Sequence, residues 1–176
     1  MGMRPLPFAS VPHDLGCCRL EPLARDAAAA VAARLVEMDP WLRLGYHAEA
    51  LGRYLTQDSP ALWRWAIVDG AAVVGAVAVR FPWLRGPYVE LLAVFPEAQG
   101  TGIGAAVLGW LQSAAAHEGN LWVMASAFNE RARRFYRRHG FAEIGVVPEL
   151  VRAGHDELLM RWVPGTAGGT ADRLPP

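Results

Sequence analysis

The residues with the clearest potential for chemistry form a short glycine-rich segment, Gln99-Gly100-Thr101-Gly102-Ile103-Gly104. It follows an apolar run at 91–95 and precedes apolar residues at helical spacing, so a strand should lead into a helix here. The first turn of a helix has backbone N–H groups without intrahelical partners, and the helix dipole adds a partial positive charge. Because glycines let a phosphate approach that backbone closely, the segment predicts a pyrophosphate-binding turn.

Two common nucleotide-binding motifs fit this segment poorly. It lacks the Gly-Lys-Ser/Thr ending that supplies the lysine and hydroxyl of a P-loop. A dinucleotide-binding fold needs Gly-x-Gly-x-x-Gly and a later acidic residue, whereas the spacing here is Gln-x-x-Gly-x-Gly. Taken alone, the six residues fit a glycine-rich helix start without a ligand equally well.

A second motif lies between Asn129 and Phe141. On a helix, the apolar residues of this stretch share one face with Tyr136, and the arginines fall mostly on the other. Asn129 and Tyr136 are almost two turns apart, so both can address the same side. A tyrosine on the inner face must find a partner for its hydroxyl, and a core tyrosine bonded to a backbone carbonyl is the alternative.

Together the two motifs resemble the GNAT superfamily of acyl-CoA N-acyltransferases, and the resemblance covers residues 15–163. The cofactor signature of that family, Gln/Arg-x-x-Gly-x-Gly/Ala, is matched by Gln99, Gly102 and Gly104. Its later motif is matched by Asn129, Phe135-Tyr136 and Gly140-Phe141.

The resemblance implies an α/β fold with a mixed, mostly antiparallel central sheet, splayed at the cofactor site, and with helices on both faces. It also implies that an acetyl group passes from acetyl-CoA to a primary amine by direct attack in a ternary complex. The acceptor is then an amine of a small molecule or of a protein or peptide. A homodimer is left open.

The same resemblance assigns roles to single residues. Leu92 and Val94 supply backbone groups to the pantetheine arm, Gly100–Gly104 hold the pyrophosphate, and Asn129 contacts the pantetheine. Tyr136 stands beside the sulfur as the general acid that protonates the leaving thiolate. The cofactor-binding set is Leu92, Ala93, Val94, Gln99, Gly100, Thr101, Gly102, Ile103, Gly104 and Asn129.

The general base is assigned less directly. An attacking amine must be neutral, and its solution pKa of about 10 means that a group must accept its proton. Glu90 lies on the central strand, near positions that the family often uses, and a solvated strand carboxylate is the alternative. Some relatives carry a glutamate five residues before the Asn, where this chain has Met124. Ser126, His155 and ordered water are further candidates.

Composition limits the other interpretations. A chain of 176 residues with 53% hydrophobic and 19% charged residues predicts one compact domain. Its 17 basic and 17 acidic residues cancel, which disfavours nucleic acid and anionic membranes as partners. The arginines at 131–138 then form a solvated outer face, from which one or two could reach the 3′-phosphate of the cofactor. A nucleic-acid-binding module and a non-catalytic acyl-CoA-binding or regulatory domain are the competing hypotheses, and Tyr136 favours catalysis.

The ends of the chain and its cysteines bear on location. We expect a loose leader over residues 1–14, the acetyltransferase domain over 15–164 and a disordered tail over 165–176. Apolar runs stay short of the roughly 18 residues of a membrane span, and the N-terminus lacks secretion features. Adjacent Cys17 and Cys18 cannot pair without strain, and the histidines show no metal-ligand spacing. We therefore expect a cytoplasmic protein without a metal.

The hydrophobic pattern predicts the element order βααβββαβαββ. Residues 81–87, and the residues around Pro148 and Gly154, are predicted as loops. The predicted strands are 15–20, 63–68, 73–80, 88–94, 121–127, 142–147 and 157–163, and the predicted helices are 24–38, 47–55, 102–118 and 129–139.

Overall fold

A computed structural model describes residues 6–165, and within them the chain forms eight strands and five α-helices. The strands are β1 (His13–Asp14), β2 (Arg19–Pro22), β3 (Leu62–Asp69), β4 (Ala72–Trp83), β5 (Gly86–Val94), β6 (Leu121–Ser126), β7 (Ala142–Arg152) and β8 (His155–Trp162). The helices are α1 (Arg25–Leu35), α2 (Trp41–Leu44), α3 (Ala48–Thr56), α4 (Ile103–Ala115) and α5 (Glu130–Arg138), with a 3-10 helix at Pro96–Ala98. The short elements β1 and α2 and the 3-10 helix add to the predicted order.

The strands form one sheet in the order β1-β2-β3-β4-β5-β6-β8-β7. Neighbouring strands are antiparallel except β5 and β6, which are parallel and joined by a crossover through α4. β8, the last strand within residues 6–165, is therefore an interior strand, because it lies between β6 and β7. The predicted mixed, mostly antiparallel sheet is confirmed.

Side chains alternate along the central strands, so each face of the sheet builds its own apolar layer. On β4, Val77 packs in the layer of α4 and α5, while Ala76 packs in the layer of α1 and α3. On β5, Leu92 and Ala93 divide between the two layers in the same way. The predicted helices on both faces are thus confirmed, and Leu92 faces the side on which α4 begins.

The strands β5 and β6 separate soon after they meet. They share only the residue pairs Tyr88–Trp122 and Val89–Val123. Farther along, β5 stays paired with β4 as far as Val94, and β6 stays paired with β8 as far as Ser126. The edge of β5 that faces β6 therefore has no strand partner beyond Val89, which is the predicted splay.

Residues 81–87, predicted as a loop, instead belong to the hairpin between β4 and β5. Leu84 and Arg85 form its turn, both at positive φ (35° and 61°). Asn120 Nδ2 donates to the carbonyl of Arg85 at 2.7 Å, and Trp122 Nε1 donates to that of Leu84 at 3.0 Å. These bonds stabilise a backbone conformation that non-glycine residues adopt only at a cost.

The loop predicted around Pro148 is also a strand. β7 runs through Pro148 to Arg152, and only Ala153-Gly154 separate it from β8. Proline fits here because β7 is an edge strand whose pairing with β8 is irregular between Val147 and Arg152.

Part of the segment expected as a loose leader contacts the sheet, through Phe8 and through β1 (His13–Asp14). Phe8 is 4% exposed, with its ring centroid 5.9 Å from Trp63 and 5.8 Å from Trp110. The tail predicted from 165 onward lies outside the described residues, except for Gly165. None of the helices between residues 6 and 165 is long and apolar enough to cross a membrane.

We expect Phe8→Ala to lower the free energy of unfolding by about 3 kcal/mol or more, since it removes a buried aromatic ring. Leu6→Ala, at a side chain that is 61% exposed, is the matched control and should change the free energy by about 0.5 kcal/mol at most. Urea denaturation of both variants measures the difference. Equal stability of the two variants would show that the segment is not part of the core.

Candidate active site

The separation of β5 and β6 opens onto two adjoining cavities. The larger has a volume of about 970 Å³ and the smaller about 160 Å³. Both are lined by Pro40, Trp41, Leu92, Asn129, Ala132 and Tyr136. A molecule in the larger cavity can therefore meet one in the smaller cavity beside these residues.

The glycine segment forms one end of the larger cavity. Gly100 and Gly102 have positive φ values of 82° and 90°, and Gly102 begins α4 without a side-chain cap. The first intrahelical bond runs from Ala106 N to Gly102 O, so the N–H groups of residues 103–105 have no partner within the helix. Because no atom lies within 4 Å of a Cβ built on Gly102, this turn is open to a ligand.

Gln99 holds the turn in place. Its Nε2 donates to the carbonyl of Val94 at 2.7 Å, and its Oε1 accepts from Arg131. Thr101 Oγ1 donates to the carbonyl of Ala98 at 2.7 Å. The polar side chains of the motif thus bind protein groups and leave the backbone N–H groups for a ligand.

The arginines of α5 fall into two groups. Arg133 and Arg137 share Glu143, and Arg134 binds Glu130, so each of these three forms an ion pair. Arg131 and Arg138 instead line the larger cavity, together with Arg43 of α2. This cavity therefore combines a helix start with positive side chains, an arrangement that suits an anion.

Asn129 and Tyr136 lie where the two cavities meet. Asn129 Oδ1 caps α5 by accepting from Ala132 N at 3.1 Å, which leaves its Nδ2 as a donor. Tyr136 is 6% exposed, and its ring packs against Phe135 and Phe141. Burial raises the pKa of its phenol, so the hydroxyl keeps its proton. Within residues 6–165 no protein group hydrogen-bonds this hydroxyl, which argues against a core tyrosine tied to a carbonyl.

The structure brings most of the predicted cofactor-binding residues together, but not all their side chains. Those that line the larger cavity are Leu92, Val94, Gln99, Gly100, Gly102, Gly104 and Asn129. The side chain of Ala93 packs instead in the layer of α1 and α3, and that of Ile103 lies in the layer of α4 and α5. Thr101 is exposed. For Ala93 and Ile103, whose side chains are buried in the two layers, only the backbone can serve a ligand here.

Glu90, the predicted base, lines the smaller cavity but both its oxygens are engaged. Oε1 pairs with Nε of Arg80, and Oε2 accepts from Arg80 Nη2 at 3.3 Å and from the Tyr54 hydroxyl at 2.8 Å. Neither oxygen of the Glu90 carboxylate is therefore left without a protein partner.

A second carboxylate in the smaller cavity, Glu157, is absent from the sequence-based assignment. It faces Ser126 across the β6–β8 pairing, and Ser126 Oγ donates to its Oε1 at 2.7 Å. Desolvation raises the pKa of this carboxyl, and the bond from Ser126 opposes the rise. A carboxylate at the start of a predicted strand is normally solvent-exposed, so the sequence offers little signal for it.

Comparisons with known proteins agree with this geometry. The acetyltransferase (GNAT) family matches residues 29–141. An uncharacterized N-acetyltransferase of Methanocaldococcus jannaschii is 34% identical over 98 residues, which cover 54% of this chain and 62% of that protein. The matched part therefore spans less than two thirds of that relative.

Two solved structures extend the comparison to the fold. Nourseothricin acetyltransferase is 30% identical, with a TM-score of 0.54 over 60% of this chain and 67% of that one. A probable GNAT acetyltransferase from Chromobacterium violaceum has a TM-score of 0.73 at 16% identity, covering 89% of this chain and 87% of that one. At such low identity the second likeness concerns the fold alone.

We expect Gly102→Val to weaken acetyl-CoA binding about tenfold or more, because its side chain would occupy the space in front of the free N–H groups. Isothermal titration calorimetry measures the affinity. Unchanged affinity in a folded variant would contradict the predicted pyrophosphate-binding turn.

Two matched variants separate the loss of space from backbone strain. Gly70→Ala introduces a side chain at another open position with positive φ, 58°, in the β3–β4 turn. Gly104→Ala adds a Cβ at an ordinary 3.6 Å from the Phe135 ring, and the resembled signature accepts alanine there. Both variants should keep their affinity for acetyl-CoA.

Proposed function

Because the chain belongs to the GNAT family of acetyltransferases, we propose that it transfers an acetyl group from acetyl-CoA to a primary amine by direct attack in a ternary complex. The observation that carries this proposal is the position of Tyr136, which lines both cavities. Donor and acceptor can then be held together with one acidic hydroxyl between them. We place the catalytic unit in residues 15–164, with Phe8 packed against it.

Three features of the larger cavity fit acetyl-CoA. The free N–H groups at the start of α4 suit a pyrophosphate, and Arg138 adds a positive side chain without an ion-pair partner among residues 6–165. The edge of β5 from Glu90 to Val94 offers unpaired backbone groups to the amides of a pantetheine arm. Asn129 adds its free Nδ2 beside that edge. Bound there, acetyl-CoA supplies an activated thioester.

The role of the β5 edge is positioning. Backbone N–H and C=O groups that lack a strand partner are strong, directional ligands for an extended chain. A thioester held along Leu92 and Val94 would end beside Tyr136. An N–H group of the same edge can then donate to the carbonyl oxygen as negative charge develops on it.

Tyr136 serves as the proton donor. Its pKa is raised by burial, so the phenol stays neutral and leaves no buried charge before the reaction. When the C–S bond breaks, the sulfur becomes anionic and accepts the phenolic proton. Among the described residues its hydroxyl has no protein partner that would compete for it.

The acceptor enters through the smaller cavity in this proposal. Its size suits an unbranched amine, whether a small molecule or the exposed end of a protein or peptide. Nourseothricin acetyltransferase carries a small-molecule acceptor in its name. We therefore expect small-molecule amines among the acceptors of this chain.

The test is an amine panel with acetyl-CoA, in which release of free CoA thiol and the mass of the acetylated product are measured. We expect thiol release that depends on the amine and a product heavier by one acetyl group. Thiol release that is independent of every amine would contradict amine acetylation.

We expect Tyr136→Phe to lower kcat about 10²-fold or somewhat more, the usual contribution of one positioned acid. The change keeps the ring and removes the proton, so acetyl-CoA affinity should stay nearly constant. Phe141→Leu, which alters packing beside the same ring, is the control for a packing effect. Full turnover in Tyr136→Phe, when chemistry limits the rate, would show that Tyr136 only packs.

A further inference from the structure

Few polar side chains are buried within residues 6–165, and Glu157, which is 5% exposed, is the acidic one among them. It lies at the start of β8 and lines the smaller cavity together with Ser126. The hydroxyl of Ser126 donates to Oε1 at 2.7 Å, and Oε2 accepts no hydrogen bond from residues 6–165. One oxygen of a buried carboxylate is thus left for a ligand.

No cation accompanies this carboxylate within residues 6–165. Glu90, in the same cavity, is held by Arg80 and Tyr54, whereas Glu157 forms no ion pair with an arginine or histidine. A buried charge without a partner is costly, so proteins pair it, neutralise it or use it for a charged ligand. The rise in its pKa reflects that cost.

The surroundings of Glu157 restrict what can approach. The cavity measures about 160 Å³, below the roughly 300 Å³ at which drug-sized ligands begin to fit. Tyr46 and Tyr88 border it, as do the apolar side chains of Trp41 and Val151. Aromatic faces beside a carboxylate favour a compact alkylammonium group.

We propose that Glu157 binds the ammonium group of the acceptor and accepts its proton, and that the site takes a compact, unbranched primary amine. This rests on the acetyl transfer proposed above and names the base and the acceptor class of that reaction. Glu90 then remains a charged partner of Arg80 that holds β5 in place.

Glu157 and Tyr136 together account for every proton that moves in the proposed reaction. The ammonium group transfers one proton to Glu157, which becomes a neutral carboxylic acid and later returns the proton to solvent. The amine nitrogen forms a C–N bond with the acetyl carbon as the C–S bond breaks. Tyr136 gives its proton to the sulfur and regains one from the attached nitrogen. An ammonium ion and a thioester thus become an amide, a free thiol and one released proton.

The pH dependence follows from the groups that face Glu157. These are Tyr46 from the segment after α2, Tyr88 and Glu90 from β5, and Tyr136 from α5. The tyrosines have raised pKa values and stay neutral near neutral pH. The acid limb of kcat/KM should therefore report Glu157, and activity should fall as pH drops through its raised pKa.

The first test uses the acceptor that reacts fastest in the amine panel. Glu157→Gln should lower kcat/KM about 10²-fold with little change in acetyl-CoA affinity, while Glu157→Asp should retain part of the activity. Ser126→Ala removes the bond that lowers the pKa of Glu157, so its acid limb should move to higher pH. Glu49→Gln, on the exposed surface of α3, is the control and should match the parent.

The second test needs no turnover. Saturation-transfer NMR with n-propylammonium chloride and with n-propanol measures binding to the protein saturated with CoA. The parent and Glu49→Gln should bind the ammonium ion and not the alcohol, and Glu157→Gln should bind neither. If the amine panel shows no acetylation but the NMR experiment still shows ammonium binding that depends on Glu157, the proposed acetyl transfer is wrong and the ammonium site stands.

Stability separates this role from a structural one. The folded state holds a proton on Glu157 more tightly than the unfolded chain does, so the charged form destabilises the fold as pH rises through the raised pKa. Glu157→Gln should therefore raise Tm at about pH 8 and leave it unchanged at about pH 4. The proposal is overturned if Glu157→Gln has a lower Tm than the parent at both pH values, or if it binds the ammonium ion as well as the parent does. It is also overturned if the acid limb of kcat/KM survives in Glu157→Gln and vanishes in Glu90→Gln.

Discussion

The separation of β5 and β6 is the constraint on which the rest of the site depends. Two parallel strands that share two residue pairs leave backbone donors and acceptors without strand partners, and such groups are costly when buried. Each strand is held by its other neighbour, β5 by β4 and β6 by β8, so the gap cannot close by sliding. At the closed end, Asn120 and Trp122 bind the carbonyls of the β4–β5 turn and fix where the separation begins.

The gap also explains why two carboxylates in one small cavity differ. Glu90 lies on β5 and reaches Arg80 on β4, so its charge is compensated within the sheet. Glu157 lies on β8, beyond the gap, where its nearest polar partner is the neutral hydroxyl of Ser126. Glu90 thus has a cationic partner, whereas Glu157 has none within residues 6–165 and desolvation raises the pKa of its carboxyl. The position of each residue relative to the gap therefore sets its chemistry.

Local signals made the geometry of the glycine turn and of α5 predictable. The glycines of the α4 turn and the Asn129-to-Tyr136 spacing lie within single elements, so their geometry follows from strand and helix periods. Other features depend on distant contacts. The 81–87 turn is stabilised by side chains from β6 and the segment before it, and Phe8 is buried by three tryptophans from elsewhere in the chain. No local pattern encodes these partners.

Glu157 illustrates the same limit at the candidate active site. It lies outside residues 29–141, the part of the chain that matches the family, and becomes interior only because β8 inserts between β6 and β7. The β7–β8 hairpin also contributes Leu150 and Val151 to the wall of the smaller cavity, and Arg152 Nη1 donates to the Arg43 carbonyl at 3.0 Å. That bond connects the hairpin to α2, whose Trp41 borders both cavities. The wall of the smaller cavity is thus built from segments remote in sequence, which no single local motif can reveal.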